Sequence, residues 1–303
     1  MKIYIETPYY KEYLLKHASF PMTLVESKKE AEVIVSGRFK ETDYSKNLKA
    51  VIVPYTGLDG IDLAFIKKMH IPLFNTTDHS KFVSEKALQL ILSLLGNVPL
   101  YHNNLKEGLW SQRTNEDRIP WVSLFDKKIG IYGYGRIGQI LHRLLEPFHC
   151  EVSIIDRGKK YPNVVYKDSL ETLVSDVDIV VIATPLTPKT RGVFNQEILT
   201  LMKDKYLINV GRGPIIEEKA LYEALNSQHL KGFASDVWYQ YPSLKEPEIM
   251  PSKYPITAFN NVVLSPHCGG YTTQFSAVMI KNILRTLESV FKEDYDEAVI
   301  YEK

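Results

Sequence analysis

Only two cysteines, Cys150 and Cys268, occur in 303 residues, which excludes a disulfide framework and offers no metal-ligand spacing. An excess of one charge is missing too: 37 Lys and Arg stand against 36 Asp and Glu, a net charge of +1. Such a balance gives no electrostatic reason for nucleic acid or an anionic membrane as partner. No uncharged apolar stretch reaches the length that spans a bilayer. The opening Met1-Lys2-Ile3-Tyr4-Ile5-Glu6 meets a charge after three apolar residues and does not read as a signal peptide. Repeats and low-complexity tracts are absent. What remains is an ordinary globular composition, 45% hydrophobic and 24% charged, with room for two modest domains. The expected setting is a reducing cytoplasm, with no metal.

Short apolar runs alternate with helical spacing along the chain. Lys2 to Glu6, Ala31 to Gly37 and Leu48 to Val53 read as strands, and Leu63 to Lys68 has helical spacing. Ser84 to Leu95 is apolar almost all round, as a helix buried on several sides between two domains would be. The chain turns polar from Tyr101 to Arg118, and the crossing between domains is expected just before it. A second set of strands begins at Lys128 to Tyr132 and continues at Glu151 to Ile155, Asp178 to Ala183 and Tyr206 to Val210. Phe233 to Ser235 and Val262 to Leu264 close it. Helices are expected at Ile137 to Phe148, Glu217 to Leu225 and Phe275 to Phe291. Near-continuous Val/Ile/Leu runs suit a parallel sheet covered on both faces, so the class is α/β.

A glycine loop, Gly133-Tyr134-Gly135-Arg136-Ile137-Gly138, directly follows the strand that begins at Lys128 and opens a helix. Gly133 permits the tight turn, Gly135 lets backbone approach a pyrophosphate, and Gly138 lets the helix pack against the strand. The diphosphate of a dinucleotide then meets free N–H groups at a helix N-terminus. An acid, Asp156, ends the next strand; it can accept both ribose hydroxyls and would repel a 2′-phosphate. NAD is therefore expected in preference to NADP, although Arg157 next door is a group that a 2′-phosphate could meet.

Three polar residues close later apolar runs: Arg212 in Asn209-Val210-Gly211-Arg212-Gly213-Pro214, Asp236 before Val237-Trp238, and His267 in Ser265-Pro266-His267-Cys268-Gly269-Gly270. In a parallel α/β sheet, ligands bind outside the carboxyl ends of the strands. A guanidinium there suits a bidentate grip on a carboxylate, and its flanking glycines let backbone come close to a ligand. An imidazole that titrates near neutral pH can protonate a carbonyl oxygen as hydride reaches its carbon. Asp236 reads as a group that orients the nicotinamide by accepting its carboxamide. Together the three point to nicotinamide-dependent redox chemistry.

At these residues the chain resembles the D-isomer-specific 2-hydroxyacid dehydrogenases, over nearly its whole length. The resemblance also rests on Gly57-Leu58-Asp59-Gly60-Ile61-Asp62-Leu63, on Val83 to Leu88, on Gly108-Leu109-Trp110 and on Thr184-Pro185-Leu186-Thr187-Pro188-Lys189-Thr190-Arg191-Gly192. It implies two domains: a flavodoxin-like substrate domain, residues 1–98 plus 275–303, interrupted by an inserted Rossmann NAD-binding domain, residues 99–274. It also implies a homodimer through the cofactor domain. Carried over, Arg212 becomes the substrate-binding arginine and His267 the proton-transfer histidine. Thr56 and Gly57 match the loop whose amides hold the substrate carboxylate. Arg136, Ile137, Thr184, Pro185, Thr190, Val210, Gly211 and Arg212 align with cofactor contacts, and Asp236, His267 and Gly269 are expected beside them.

Three positions depart from the family pattern. The glutamate usually paired with the histidine is replaced by Tyr241, or by Gln240 if the turn is shifted by one residue. Loss of that acid implies a weaker imidazolium and a reduction rate that falls at lower pH. Tyr55 stands where the substrate loop commonly has glycine, and His79 where an asparagine often contacts substrate. The aromatics either reshape the pocket or pack between the domains. The expected substrates are small 2-oxo or D-2-hydroxy acids. Alternatives are a glyoxylate or hydroxypyruvate reductase, a dehydrogenase of another oxyanion such as formate or phosphite, or an NAD-responsive binding module like the corepressors related to C-terminal-binding protein.

Overall fold

The computed structural model describes residues 1–110 and 120–300, so the last part of the polar segment expected over 101–118 lies outside the described residues. The chain divides into two compact units, Met1–Ser80 with Tyr271–Lys303, and Lys81–Gly270. Nine α-helices occur among the described residues: α1 (Pro8–His17), α2 (Leu63–Lys68), α3 (Ser80–Leu95), α4 (Val98–Lys106), α5 (Arg136–Leu145), α6 (Leu170–Ser175), α7 (Gln196–Thr200), α8 (Glu218–Asn226) and α9 (Phe275–Phe291).

The first unit is built on five parallel strands, β1 (Lys2–Ile5), β2 (Thr23–Val25), β3 (Val33–Val35), β4 (Ala50–Val53) and β5 (Leu73–Asn75), in the order β2-β1-β3-β4-β5. That is the flavodoxin-like winding. Strands β3 and β4 are buried at every residue, and their Val/Ile runs require cover on both faces. Tyr10 and Leu14 of α1 pack with Met279, Ile280, Ile283, Leu287 and Val290 of α9 against Ile3, Ile5, Val33, Val35 and Ile52. Phe65 and Ile66 of α2 cover the alternate residues Ile34, Val51 and Val53. Period-two alternation thus divides one apolar run between two cores. Asp62 starts α2 by accepting the Phe65 N–H at 3.0 Å, an N-cap that satisfies one of the free donors of the first turn.

The second unit carries seven parallel strands, β6 (Lys128–Tyr132), β7 (Glu151–Ile155), β8 (Val165–Lys167), β9 (Ile179–Ile182), β10 (Tyr206–Asn209), β11 (Gly232–Ser235) and β12 (Val262–Leu264), in the order β12-β11-β10-β9-β6-β7-β8. The chain winds outward from β6 to β8, then returns to β9 on the other side of β6. A crevice therefore opens at the carboxyl ends of β6 and β9, the switch point of a Rossmann sheet. Residues of α3 and α5 cover Ile129, Ile131, Val152, Ile179, Val181 and Ile208. Helices α6, α7 and α8 cover Val180, Ile182, Leu207 and Phe233 on the opposite face.

Both boundaries differ from those expected at 98/99 and 274/275. The larger difference concerns α3, whose Ala87, Leu90, Ile91, Leu94 and Leu95 belong to the core of the seven-stranded unit. Each large aliphatic side chain among them gains roughly 1.5–3 kcal/mol on full burial, so together they commit the helix to that sheet. At the other end, α9 packs on the five-stranded sheet, and Leu73 N–H donates to Ile300 O at 3.0 Å.

Candidate active site

The glycine loop sits at the switch point of the second sheet. Gly133 has φ +110°, and a Cβ there would lie 2.6 Å from the carbonyl carbon and oxygen of Ala183, just beyond β9. Only a residue without a side chain lets β6 and β9 end so close together. A Cβ at Gly138 would lie 2.5 Å from Gly133 O and 3.1 Å from Ile131 Cγ2, which is how α5 seats on β6. At Gly135 a Cβ would meet nothing within 4 Å. Gly135 is the N-cap of α5 and brings no side-chain hydrogen bond, so Arg136 and Ile137 open a helix whose first-turn amides face outward. Open space at one helix N-terminus fits a dinucleotide diphosphate.

Around the crevice the loops are stapled by their own polar groups. Thr184 and Thr190 are buried; Thr190 Oγ1 donates to Pro185 O and accepts the Thr187 N–H, both at 2.8 Å. Asp156 follows β7. Its Oδ2 accepts Lys160 Nζ at 2.6 Å and its Oδ1 accepts the Gly158 N–H at 2.8 Å. The lysine, then that amide, hold its carboxyl below the usual range. Lys160 Nζ also lies 4.2 Å from the centre of the Tyr166 ring. Lys160 was not singled out by sequence, although its place four residues beyond the acid was a visible signal.

Arg212, Asp236 and His267 follow β10, β11 and β12, which are neighbours in the sheet. The Arg212 turn is held by Asn209, whose Oδ1 accepts the Gly211 N–H and whose Nδ2 donates to Arg212 O, each at 3.0 Å. Arg212 Nη1 donates to Gly211 O at 2.8 Å. The glycines on either side were expected to admit a ligand, but what approaches them is protein backbone. A Cβ at Gly211 would lie 2.7 Å from Thr184 O, and one at Gly213 2.3 Å from Trp238 O. Val210 N–H pairs with Ile182 O at 3.0 Å, fixing the turn to the end of β9.

Asp236 is 3% exposed. Its Oδ1 accepts Ser265 Oγ at 2.5 Å and Cys268 N–H at 2.9 Å; its Oδ2 accepts Gly269 N–H at 2.8 Å. The carboxylate therefore clamps the loop that carries His267, a task added to the cofactor role read from the sequence. His267 itself is exposed, with φ +56°, an uncommon backbone state for a residue with a side chain and one that clusters at functional sites. Ser265, missed in the sequence, is the hinge of this clamp, since Trp238 Nε1 donates to its carbonyl at 2.8 Å.

Tyr241 lies beside His267, ring centres 5.2 Å apart and tilted by 49°. Its hydroxyl accepts Trp238 N–H at 2.9 Å, which ties the ring to the start of the same turn. Tyr241 is thus the residue whose ring the turn brings to His267, while the Gln240 backbone N–H bonds Pro251 O at 3.1 Å.

In the first unit, Thr56, Gly57 and His79 come together after β4 and β5. His79 is buried, and its Nε2 lies 3.1 Å from Thr56 Oγ1. Its Nδ1 is buried without a partner, and burial lowers its pKa against a smaller opposing effect of Asp78. Both ring nitrogens thus face protein, which makes His79 a support for the Thr56 loop. No group of three or more His, Cys, Asp or Glu able to hold a metal occurs among the described residues.

The family model for the NAD binding domain of D-isomer specific 2-hydroxyacid dehydrogenases matches residues 88–269, more than half of the chain. The protein belongs to this family. It is 31% identical to the mitochondrial formate dehydrogenase 2 of Oryza sativa subsp. japonica over 291 residues, covering 93% of this chain and 74% of that one. It is 31% identical to the glyoxylate reductase of Thermofilum pendens over 287 residues, 92% of this chain and 80% of that one. The D-lactate dehydrogenase of Aquifex aeolicus, solved with NAD and lactic acid, shares the fold over the full length of both chains with a TM-score of 0.85 at 22% identity. The chain is thus an NAD-dependent oxidoreductase of the 2-hydroxyacid dehydrogenase family. No described helix is long and apolar enough to cross a membrane.

Proposed function

We propose that the protein interconverts a small 2-oxo acid and its D-2-hydroxy acid, with Arg212 and His267 in direct contact with the reacting molecule. The observation that carries this reading is the adjacency of Arg212, Asp236 and His267 after neighbouring strands of a sheet whose switch point is shaped for a dinucleotide. A nicotinamide cofactor held at the Gly133–Gly138 loop would supply the hydride for the carbonyl carbon and accept it in the reverse direction. Arg212 grips the substrate carboxylate and polarises the carbonyl with its planar fork. His267 gives the proton to the carbonyl oxygen and recovers it in the oxidation. Asp236 and Ser265 hold the histidine loop, and the Tyr241 ring flanks the imidazole where an acid is usual. The amides of Thr56 and Gly57 are assigned to carboxylate binding, with His79 behind Thr56. Asp156 is assigned to the adenosine ribose. The five-stranded unit serves as the substrate domain and the seven-stranded unit as the cofactor domain.

The protein is further assigned to the cytoplasm and to a homodimer formed through its cofactor domain, a state that sedimentation of the purified chain checks. The reaction is tested by NADH oxidation with glyoxylate, hydroxypyruvate, pyruvate and bulkier 2-oxo acids, with Arg212→Ala as control. Turnover that disappears in the variant supports the reading. Turnover only with formate or phosphite, or NADH binding without any turnover, overturns it in favour of another oxyanion or of a cofactor-sensing binding module.

A further inference from the structure

The five-stranded sheet has a switch point of its own. Its chain winds outward from β1 to β2 and then from β3 to β5, so a crevice is expected outside the carboxyl ends of β1 and β3. Glu6 and Ser36–Gly37 line those ends: Glu6 Oε2 accepts Ser36 Oγ at 2.8 Å and Gly37 N–H at 3.1 Å. The opening is not left empty. Tyr55, just beyond β4, runs back across β3, and a Cβ at Gly37 would lie 1.4 Å from its Oη and 2.3 Å from its Cζ. The tyrosine thus fills the volume that a side chain at position 37 would occupy. It reaches toward Tyr10 of α1, whose pKa is raised by burial and, to a lesser degree, by Tyr9 and Tyr55.

Tyr55 is also held from behind. The next residue, Thr56, is fixed on one side by Asn75 Nδ2, which donates to its carbonyl at 2.9 Å, and on the other by His79 Nε2, 3.1 Å from its Oγ1. A side chain mounted on so constrained a loop makes a wall rather than a swinging gate, while its remaining 43% exposure leaves one face toward the mouth of the crevice. Where a smaller residue at position 55 would leave a lane from the Thr56–Gly57 amides to Glu6, this chain has an aromatic ring.

We propose that Tyr55, seated over Gly37, is a specificity-determining residue that closes the β1–β3 switch point and restricts the substrate to 2-oxo acids with no more than one carbon beyond the carbonyl. This rests on the proposed 2-oxo acid chemistry and names the substrate class within it. Glyoxylate, pyruvate and hydroxypyruvate pass; longer and aromatic 2-oxo acids meet the ring.

The test compares kcat/KM for glyoxylate, pyruvate, 2-oxohexanoate and phenylpyruvate in the full chain, in Tyr55→Ala, in Tyr55→Leu as a milder replacement, and in Tyr55→Phe. NADH affinity is followed by fluorescence as a control for folding. The wild type is expected to favour the short acids. Tyr55→Ala and Tyr55→Leu are expected to shift the ratio of 2-oxohexanoate to glyoxylate by about tenfold or more, the scale on which a methylene or two is discriminated in a pocket, mainly through KM. Tyr55→Phe keeps the wild-type preference, because the ring and not the hydroxyl is the wall. An unchanged preference in both shortened variants with NADH affinity intact, or a wild type that prefers the long acids, overturns the inference alone. A wild type that turns over none of the four, or whose turnover survives Arg212→Ala, overturns the underlying reaction as well.

Discussion

Asp236 gives both carboxylate oxygens to the loop that carries His267, and three donors converge on it in a site closed to water. Asp236→Asn turns an amide NH2 against one of those donors. The expected cost is about 1–3 kcal/mol of stability, the usual penalty for a buried group left unsatisfied, together with a loss in kcat as the histidine loop loosens. Thermal unfolding and steady-state turnover of the variant check it, and a variant with both values unchanged contradicts the clamp. A second residue-scale prediction concerns cofactor choice. Lys160 neutralises Asp156 from 2.6 Å, and Arg157 and Lys159 are exposed beside it. Removing the lysine leaves the acid to repel a 2′-phosphate. Lys160→Ala is expected to widen the ratio of NADPH to NADH dissociation constants by about threefold to tenfold, and titration of tryptophan fluorescence with each nucleotide measures it. A ratio that stays the same or narrows refutes this role.

At the scale of elements, the close seat of α5 on β6 depends on Gly138. Gly138→Ala places a Cβ 2.5 Å from Gly133 O. It is expected to cost about 1–3 kcal/mol through overpacking and to weaken NADH binding by displacing the helix N-terminus. Urea unfolding and NADH titration give the two numbers, and an alanine variant with wild-type affinity contradicts the seating. This loop was legible in the sequence because glycine spacing, a preceding strand and a following helix coincide. Strands β6, β7 and β12 and helix α9 were legible for a similar reason, as apolar runs bounded by turns. Strands β2, β5 and β8, three residues each, were not among those read. Helix α3 was visible as an element, yet an all-round apolar pattern does not say which sheet it serves. In the site, the end-of-strand positions of Arg212, Asp236 and His267 could be read, but the partners that fix them could not. Asn209, Ser265 and Trp238 act through geometry brought together by folding, and nothing local marks them.

For the whole molecule, pH acts through two buried imidazoles, one in each unit. Burial lowers the pKa of His79 and of His142, against smaller opposing effects of Asp78 and Glu146 respectively; His142 Nδ1 also lies 2.6 Å from Tyr134 Oη. The unfolded chain takes up protons at these sites below about pH 6.5 while the folded one does not. Stability is therefore retained above that pH and lost as pH falls through the folded-state values. The melting temperature is expected to drop between about pH 7 and pH 5, and less steeply in His79→Gln; identical slopes would remove His79 from the account. The same global view sets the decisive experiment, which separates cofactor binding from proton transfer. NADH affinity and 2-oxo acid turnover are measured together in the wild type and in His267→Gln. The account predicts an unchanged NADH dissociation constant and a rate lower by about 10²–10⁴-fold, the usual share of a general acid. A rate that survives the substitution would contradict the central claim that His267 moves the proton.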